Sequence, residues 1–244
     1  ADLIVADAVS VNARALLLQQ NPSVLGTFLA PVSLPTGSGG GSDDVSVADI
    51  NGDGRTDIAL AGADSVVVFY QNASGGFEPA VVLGAGIATQ GVAVADVDGD
   101  GRADLVAANT GNAPTGGSGG ASVSFLLQTS PGSFVAAQIP VADGARRVAI
   151  GDLNQDGIPD VAVVSMVYQD LSSPSRVSVL LQSAASRGQF SVAGVYLGPD
   201  PASFITLGDM NGDGRNDLVL ETGPSVLLQS AAAPGTFEAV KTLR

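Results

Sequence analysis

A nine-residue acidic segment occurs four times in this chain and constrains its fold more than any other feature. The copies read DINGDGRTD, DVDGDGRAD, DLNQDGIPD and DMNGDGRND, and they begin at Asp49, Asp96, Asp152 and Asp209. Each has oxygen-bearing side chains at positions 1, 3, 5 and 9 and glycine at position 6. Alternate side chains on a tight turn converge, and glycine adopts the positive φ that such a turn requires. The pattern therefore predicts a cation-binding loop.

The donor atoms indicate which cation these loops bind. Hard oxygen ligands, in a chain without His or Cys, favour Ca²⁺ over Zn²⁺ or copper. We predict four Ca²⁺ sites, with the ninth-position Asp as the closing ligand and the seventh residue contributing its backbone carbonyl. The predicted ligands are Asp49, Asn51, Asp53, Arg55 and Asp57; Asp96, Asp98, Asp100, Arg102 and Asp104; Asp152, Asn154, Asp156, Ile158 and Asp160; and Asp209, Asn211, Asp213, Arg215 and Asp217.

Two other interpretations of the loops are weaker. An EF-hand needs a bidentate Glu at position 12 and flanking helices, whereas position 12 here is Leu60, Ala107, Val163 or Leu220. Plain hairpin turns also contain Asp, Asn and Gly. Four copies in phase argue against that reading, because clustered carboxylates repel one another and would be costly to maintain without a cation.

The loops belong to a longer repeat, since they begin 47, 56 and 57 residues apart. A period near fifty residues is typical of a propeller or solenoid. An alternating run before each loop predicts a first strand, and an apolar run after it predicts a second. The first strands are Val45–Ala48, Val92–Ala95, Val148–Gly151 and Ile205–Gly208. The second strands are Ile58–Ala61, Leu105–Ala108, Val161–Val164 and Leu218–Leu220.

A third predicted strand is apolar on both faces, which indicates burial on both sides. Its copies, Val66–Tyr70, Val123–Leu127, Val177–Leu181 and Val226–Leu228, each run into a Gln. A turn and a Gly-x-Phe motif follow, and we predict that a fourth strand begins at Phe77, Phe134, Phe190 and Phe237. The ion loops and these later turns should then share one face.

The N-terminal segment matches the same repeat, except for the first strand and most of the acidic loop. Asp2 matches position 9 of the loop, Leu16–Gln19 matches the third strand, and Gly26–Phe28 matches the start of the fourth. We therefore expect five repeats, the first of them incomplete. The expected explanation is a chain cut from a longer protein, and the alternative is a strand donated by a neighbouring subunit.

Composition narrows the possible functions. The net charge is −14. Three of the loops hold three acidic residues each and the 96–104 loop holds four, so the four loops contain 13 of the 24 acidic residues in the chain. Four Ca²⁺ ions would bring the charge to about −6, which is ordinary for a soluble domain. One Lys and nine scattered Arg exclude a nucleic-acid partner, and no apolar run is long enough for a membrane span.

No catalytic site is predicted. The absence of His and Cys excludes Ser–His and Cys–His nucleophiles. Acidic residues outside the loops, such as Asp64, Asp143 and Glu221, are scattered and recur in no motif, and Asp43 and Asp44 are adjacent and so point to opposite faces of a strand. We expect a protein that is not an enzyme.

Taken together, the D-x-[DN]-x-D-G-x-x-D loops, the V-x-V-L-L-Q strands and the G-x-F motifs resemble the FG-GAP/VCBS repeats of integrin-α-like propellers. The resemblance implies an all-β propeller of four-stranded antiparallel blades, with the ion in the hairpin between strands one and two. About five blades would be represented in a single domain spanning 1–244, at roughly 1–41, 42–88, 89–144, 145–201 and 202–244. Rings in that family commonly have seven blades, so this sequence departs from the pattern in blade number.

The expected role is that of a secreted, calcium-stabilised structural or adhesion module of an extracellular or cell-surface assembly. Extracellular modules bind Ca²⁺ at about 10⁻⁴–10⁻³ M, so they fill outside the cell. Partners would be a protein or glycan ligand on the face that carries the long loops 36–44, 109–121, 165–176 and 198–203, or neighbouring copies in a surface assembly. The alternative is a carbohydrate-binding propeller or an accessory domain of a polysaccharide-degrading enzyme. Against it, the chain has no Trp, and among its aromatic residues only Tyr168 is expected to be exposed in a long loop.

Overall fold

All regular structure in the part of the chain that the computed structural model describes is β-strand. The structure describes residues 2–7, 14–35, 44–111, 120–166, 173–198, 201–221, 225–238 and 241–242. Within these residues the strands form five antiparallel sheets, and there is no helix. Accordingly, no helix in the described part of the chain could cross a membrane. The all-β class is confirmed, while assembly of the sheets into a propeller stays a prediction.

Each sheet is a simple meander in which strands adjacent in sequence are hydrogen-bonded. The first sheet contains β1 (Leu3–Asp7), β2 (Arg14–Leu18) and β3 (Val32–Pro35). The second contains β4 (Val45–Ala48), β5 (Asp57–Ala61), β6 (Ser65–Phe69) and β7 (Val81–Gly84). The third contains β8 (Thr89–Ala95), β9 (Asp104–Asn109), β10 (Ser122–Ser130) and β11 (Ser133–Pro140). The fourth contains β12 (Gly144–Gly151), β13 (Asp160–Met166), β14 (Arg176–Ser183) and β15 (Ser186–Leu197). The fifth contains β16 (Ile205–Gly208), β17 (Asp217–Leu220), β18 (Ser225–Leu227) and β19 (Lys241–Thr242).

The first sheet matches the others with one strand fewer. Asp2 Oδ1 accepts the backbone N–H of Gln20 at 2.7 Å, as Asp57 Oδ1 accepts that of Gln71 at 2.8 Å. Gln20 also forms an isolated bridge with Phe28. The residue equivalent to Gln71 is therefore Gln20, and the predicted third strand Leu16–Gln19, which ends directly before it, is in phase with the other repeats.

The start of the fourth strand differs between sheets. Phe134 and Phe190 lie within β11 and β15 as predicted. Phe77 and Phe237 instead form isolated bridges, and β7 and β19 begin later, at Val81 and Lys241. In the second sheet the reason is Pro79, two residues after Phe77, because proline has no N–H to donate to a strand ladder.

The core lies between consecutive sheets. Buried side chains of the second and third sheets, including Ile50, Val66 and Leu105, form one apolar cluster, and corresponding clusters join the third sheet to the fourth and the fourth to the fifth. The strands β5, β9 and the apolar part of β13 are buried on both faces. Such burial stabilises by about 25 cal/mol per Å² of apolar surface removed from water.

The first strands of four sheets converge on one cavity of about 420 Å³. Its lining comes from β4, β8, β12 and β16, and includes Ser46, Ala93 and Ala149. The strands β8 and β12 each contact the first strands of both neighbouring sheets. Small residues of the first strands therefore line the place where these strands meet.

Several predicted features fall outside the described residues. Asp43, Tyr168 and residues 36–43, 112–119, 167–172 and 199–200 of the long loops are among them. Apart from Gly144, the first residue of β12, each sheet lies within one of the five predicted repeat ranges, and the grouping of the sheets into a single domain stays a prediction.

Candidate metal centres

Each acidic loop is the turn of a hairpin between the first and second strands of a sheet. The loop that begins at Asp49 follows β4 directly, and its last residue, Asp57, opens β5. The glycines at position 6 have positive φ as predicted, for example 84° at Gly54 and 86° at Gly101. Position 4 is also left-handed, and in the third loop Gln155 adopts φ 63° there.

The first-position Asp holds the loop closed through backbone amides. Asp49 Oδ1 accepts the N–H of Asp53 at 2.9 Å, and its Oδ2 accepts that of Gly54 at 2.7 Å. The bond to the sixth-position amide recurs at 2.9 Å from Asp96, 2.9 Å from Asp152 and 2.8 Å from Asp209. In the last loop the Gly214 amide lowers the pKa of Asp209. A lowered pKa favours the ionised form of Asp209, which is the form that a cation ligand requires.

The ninth-position Asp is completely buried in all four loops. Asp104 Oδ2 accepts the N–H of Val97 at 2.9 Å, and its Oδ1 accepts the N–H of Gln128 at 2.7 Å. Burial raises the pKa of Asp104 to about 6, although the amides of Gln128 and Val97 act in the opposite direction. Burial likewise raises the pKa of Asp160 to about 6. This carboxylate thus joins the loop to the end of the third strand.

The same two bonds recur in the other loops. They are Ile50 N–H and Gln71 N–H to Asp57 (2.9 and 2.8 Å), Leu153 N–H and Gln182 N–H to Asp160 (2.9 and 2.8 Å), and Met210 N–H and Gln229 N–H to Asp217 (both 2.9 Å). The sequence predicted a closing ligand here and did not reveal this structural bond. The ligand role stays a prediction.

The loop from Asp96 to Asp104 brings the most carboxylates together. Single oxygens of Asp96, Asp98 and Asp104 all lie within 4.8 Å of one another. Burial, and then the negative charge of nearby Asp100, raise the pKa of Asp98. Converging carboxylate oxygens that repel one another are the donor set of a hard divalent cation, so these residues fit Ca²⁺.

The seventh residue contributes more than the carbonyl that the sequence predicted. The Nη2 atoms of Arg55 and Arg102 contact the Oδ2 atoms of Asp53 and Asp100. The Arg55 Nε also donates to the Gln71 carbonyl at 2.8 Å. The guanidinium group therefore folds back over the loop and neutralises part of its charge. In the third loop the equivalent Ile158 is buried instead.

A side-chain amide connects the loops of adjacent sheets. Gln128 Nε2 donates to the Ala103 carbonyl of its own loop at 2.6 Å and to the Ile50 carbonyl of the preceding loop at 2.8 Å. Gln182 and Gln229 do the same one and two sheets later. The sequence showed these Gln residues recurring after apolar strands but not what they contact.

The ion loops and the turns between third and fourth strands share a face, as predicted. A Cβ added to Gly188, just after the turn of the fourth sheet, would lie 3.6 Å from the Cβ of Asp98 in the third. One added to Gly235 would lie 3.4 Å from the Cβ of Asn154. The turn of one sheet therefore covers the loop of the sheet before it.

Comparison with solved structures shows the fold. An Agrocybe aegerita lectin, described as recognising non-reducing terminal N-acetylglucosamine, has a TM-score of 0.56 and is 20% identical; the alignment covers 98% of this chain and 65% of the lectin. A Desulfotomaculum acetoxidans protein of unknown function has a TM-score of 0.62 at 13% identity, with coverage of 98% and 67%. A Bacteroides caccae protein, also of unknown function, has a TM-score of 0.52 at 11% identity, with coverage of 98% and 72%. This chain thus spans about two thirds of their length.

Comparison of the sequence identifies the repeat. A search of curated proteins gave no match. The model of the FG-GAP-like repeat family matches residues 1–60 and 49–107, a region that includes the loops at 49–57 and 96–104. The strand order, the loop positions and the three recurring motifs continue in the same phase through the remaining sheets. Residues 1–107 of the chain therefore match the FG-GAP-like repeat family.

Proposed function

We propose that the chain is a calcium-binding β-propeller that serves as a structural or adhesion module outside the cell. The observation that carries the proposal is the convergence of Asp96, Asp98 and Asp104 within 4.8 Å, in a loop that the FG-GAP-like family model matches. Bound Ca²⁺ would offset the mutual repulsion of these negatively charged carboxylates. The first-position Asp of each loop, already oriented by backbone amides, would hold the ion against the turn.

The arrangement of the sheets supports the propeller. The sheets follow one another along the chain, pack face to face, and line one cavity with their first strands. A propeller places its strands in this way, with the innermost strand of each blade at the axis. The solved structures with TM-scores of 0.56 and 0.62 support the same fold.

A structural role for Ca²⁺ fits the way the loops are connected. The same hairpin that would hold the ion is bonded through its ninth-position Asp to the third strand, and through Gln128 to the neighbouring sheet. An ion that orders the loop therefore stabilises contacts far beyond it. With neither His nor Cys in the chain, we assign the loops no catalytic function.

The loop at 96–104 should bind Ca²⁺ most tightly, because it has four carboxylates where the others have three and an Asn. Ligand charge tunes the affinity of such sites, and we expect a Kd lower by about an order of magnitude. Calorimetric titration of chains that retain a single functional loop would measure it. Asp98→Asn should remove the difference, and the matched Asn51→Asp should tighten the first loop. A 96–104 loop that binds most weakly would contradict the prediction.

Carbohydrate binding is the second candidate, and the structural similarity to the Agrocybe aegerita lectin favours it. One aromatic ring suits such a ligand. Phe204 is 51% exposed and precedes β16, at the opposite end of that strand from the ion loop. The guanidinium carbon of Arg147 lies 4.8 Å from the centre of the ring, so the guanidinium group packs against one face of it.

Titration with oligosaccharides ending in N-acetylglucosamine would test this second candidate. Phe204→Ala should lower the affinity at least tenfold, because aromatic stacking carries much of the binding energy at such sites. Phe28→Ala is the matched control, since Phe28 is 41% exposed but lies after a turn on the ion-loop side. No saturable binding to the unmodified chain, or an equal effect of both substitutions, would reject the candidate.

A further inference from the structure

We propose that Gln128, Gln182 and Gln229 couple the Ca²⁺ sites of neighbouring sheets, so that occupancy of one loop raises the affinity of the next. They act as positioning residues and do not touch the ion. The inference rests on the proposed Ca²⁺ binding, and it adds to that proposal a mechanism by which four local sites respond together.

The geometry is clearest at Gln128, which is 2% exposed. Its Nε2 donates to the Ile50 carbonyl, 78 residues away in the loop of the second sheet, at 2.8 Å. The same nitrogen donates to the Ala103 carbonyl in the loop of the third sheet at 2.6 Å. One buried amide therefore holds a peptide group from each of two ion loops.

The chemistry of the position suits Gln. Two carbonyl oxygens at one end of the side chain require a group with two N–H donors and no acceptor there. At the other end, Gln128 Oε1 accepts the N–H of Gly132 at 2.9 Å. Glu would place a carboxylate against two carbonyls, and an apolar side chain would leave both buried carbonyls unsatisfied, which is costly.

Both peptide groups held by Gln128 adjoin predicted ligands. The Ile50 carbonyl belongs to the peptide that leads into Asn51, and the Ile50 N–H donates to Asp57 Oδ2. The Ala103 carbonyl belongs to the peptide that leads into Asp104, and Asp104 Oδ1 accepts the N–H of Gln128 itself. Movement of either loop must therefore move Gln128 or break its bonds.

The two Ca²⁺ sites would be coupled because ion binding at one loop orders a peptide group that is bonded to the other. Ca²⁺ in the 49–57 loop would fix the Ile50 peptide and, through it, the Gln128 amide. The 96–104 loop would then bind its ion with part of its ordering cost already met, and a ligand that lowers this cost for a second ligand raises the affinity of the second. By linkage the effect must be reciprocal.

The contact recurs in the next two sheets, but its hydrogen bonds differ in length and in number. Gln182 Nε2 donates to the Val97 and Pro159 carbonyls at 2.6 and 2.7 Å, and its Oε1 accepts the N–H of Gly188 at 2.8 Å. Gln229 Nε2 donates to the Leu153 carbonyl at 2.6 Å but to that of Asn216 only at 3.4 Å, and its buried Oε1 has no partner among the described residues. Coupling should be weakest between the last two loops.

Gln71 supplies an internal control. It occupies the equivalent position in the second sheet, and its N–H donates to Asp57 Oδ1. The first sheet has only the ninth loop residue, Asp2, among its described residues. Among the described residues the Gln71 side chain makes no hydrogen bond to a loop carbonyl of the first sheet, so its substitution should leave coupling intact.

The test is a calorimetric Ca²⁺ titration of the full chain with loops 152–160 and 209–217 silenced by Asp156→Ala and Asp213→Ala. Silencing loop 49–57 as well, with Asp53→Ala, should weaken Ca²⁺ binding at loop 96–104 by about fivefold or more, the lower end of common coupling strengths. In a Gln128→Met chain the same silencing should change the Kd less than twofold. Gln71→Met should keep the full effect.

The outcomes separate the two proposals. An equal effect of silencing in the unmodified and Gln128→Met chains, or no effect in either, would overturn the coupling alone. A titration that shows no Ca²⁺ binding to the unmodified chain would overturn the proposed function. If circular dichroism shows that Gln128→Met does not fold, Gln182→Met tests the 96–104 and 152–160 pair in the same way.

Hydrogen exchange provides a readout without a Gln substitution. In a chain whose only functional loop is 49–57, with Asp100→Ala added to the two silencing substitutions, Ca²⁺ should slow exchange of the Gln128 backbone N–H by at least fivefold, as the same coupling strength requires. Unchanged exchange at Gln128, alongside slowed exchange within loop 49–57, would overturn the coupling.

Discussion

Removal of Ca²⁺ by a chelator is expected to lower the free energy of unfolding by about 5–6 kcal/mol. A site held at tenfold excess over its Kd adds about 1.4 kcal/mol, and four sites add their sum. That loss is comparable to the whole stability of many domains. For a chain of this size each kcal/mol shifts the melting temperature by about 2–4 °C, so thermal melts should show a fall of about 10–20 °C.

The control for this prediction is a chain in which every ion loop is disabled. Asp53→Ala, Asp100→Ala, Asp156→Ala and Asp213→Ala together remove the fifth-position ligands, which lie on the exposed side of each loop and leave the buried ninth-position Asp in place. Melting of this variant should not respond to chelator. An unmodified chain with the same melting temperature in Ca²⁺ and in chelator would contradict a structural role for the ion.

Asp104→Ala is expected to destabilise the protein by about 2–4 kcal/mol even in chelator. Both oxygens of Asp104 accept backbone N–H groups, from Val97 and Gln128, and alanine would leave these donors buried without an acceptor. Each such loss costs about 1–3 kcal/mol. Part of this cost is offset because the buried carboxylate is itself unfavourable, as its pKa raised to about 6 indicates.

Asp100→Ala is the matched comparison in the same loop. Asp100 is exposed and pairs with Arg102 at the surface, and surface ion pairs contribute about 0–1 kcal/mol. In chelator, urea unfolding should therefore show little effect of Asp100→Ala and a large effect of Asp104→Ala. Equal destabilisation by the two substitutions would mean that the buried Asp acts only as a ligand.

These two predictions assign different functions to two Asp residues of one motif. The fifth-position Asp is assigned to ion binding and to a surface ion pair. The ninth-position Asp also stabilises the fold through its bonds to backbone amides. The motif is therefore both a ligand set and a connector between the first hairpin and the third strand. Asp2 illustrates the connecting function separately: it makes the equivalent bond to Gln20 in a sheet whose described residues include no other part of the loop.

Much of the fold could be predicted because its signals are local. Alternation at Val45–Ala48 identified β4, the apolar run after Asp104 identified β9, and the glycines at position 6 marked the turns. An error occurred where the pattern was interrupted. Pro79 delayed the start of β7, which begins at Val81 and not at Phe77.

By itself, the sequence determined the repeat, the strand order and the positions of the candidate ligands, because each depends on residues within about one hairpin. The tertiary structure decided that Asp104 is buried between two amides, that Arg102 folds over its own loop, and that Gln128 holds the loop of the preceding sheet. Gln128 and Ile50 are 78 residues apart, and no local pattern records a hydrogen bond between groups brought together only when two sheets pack.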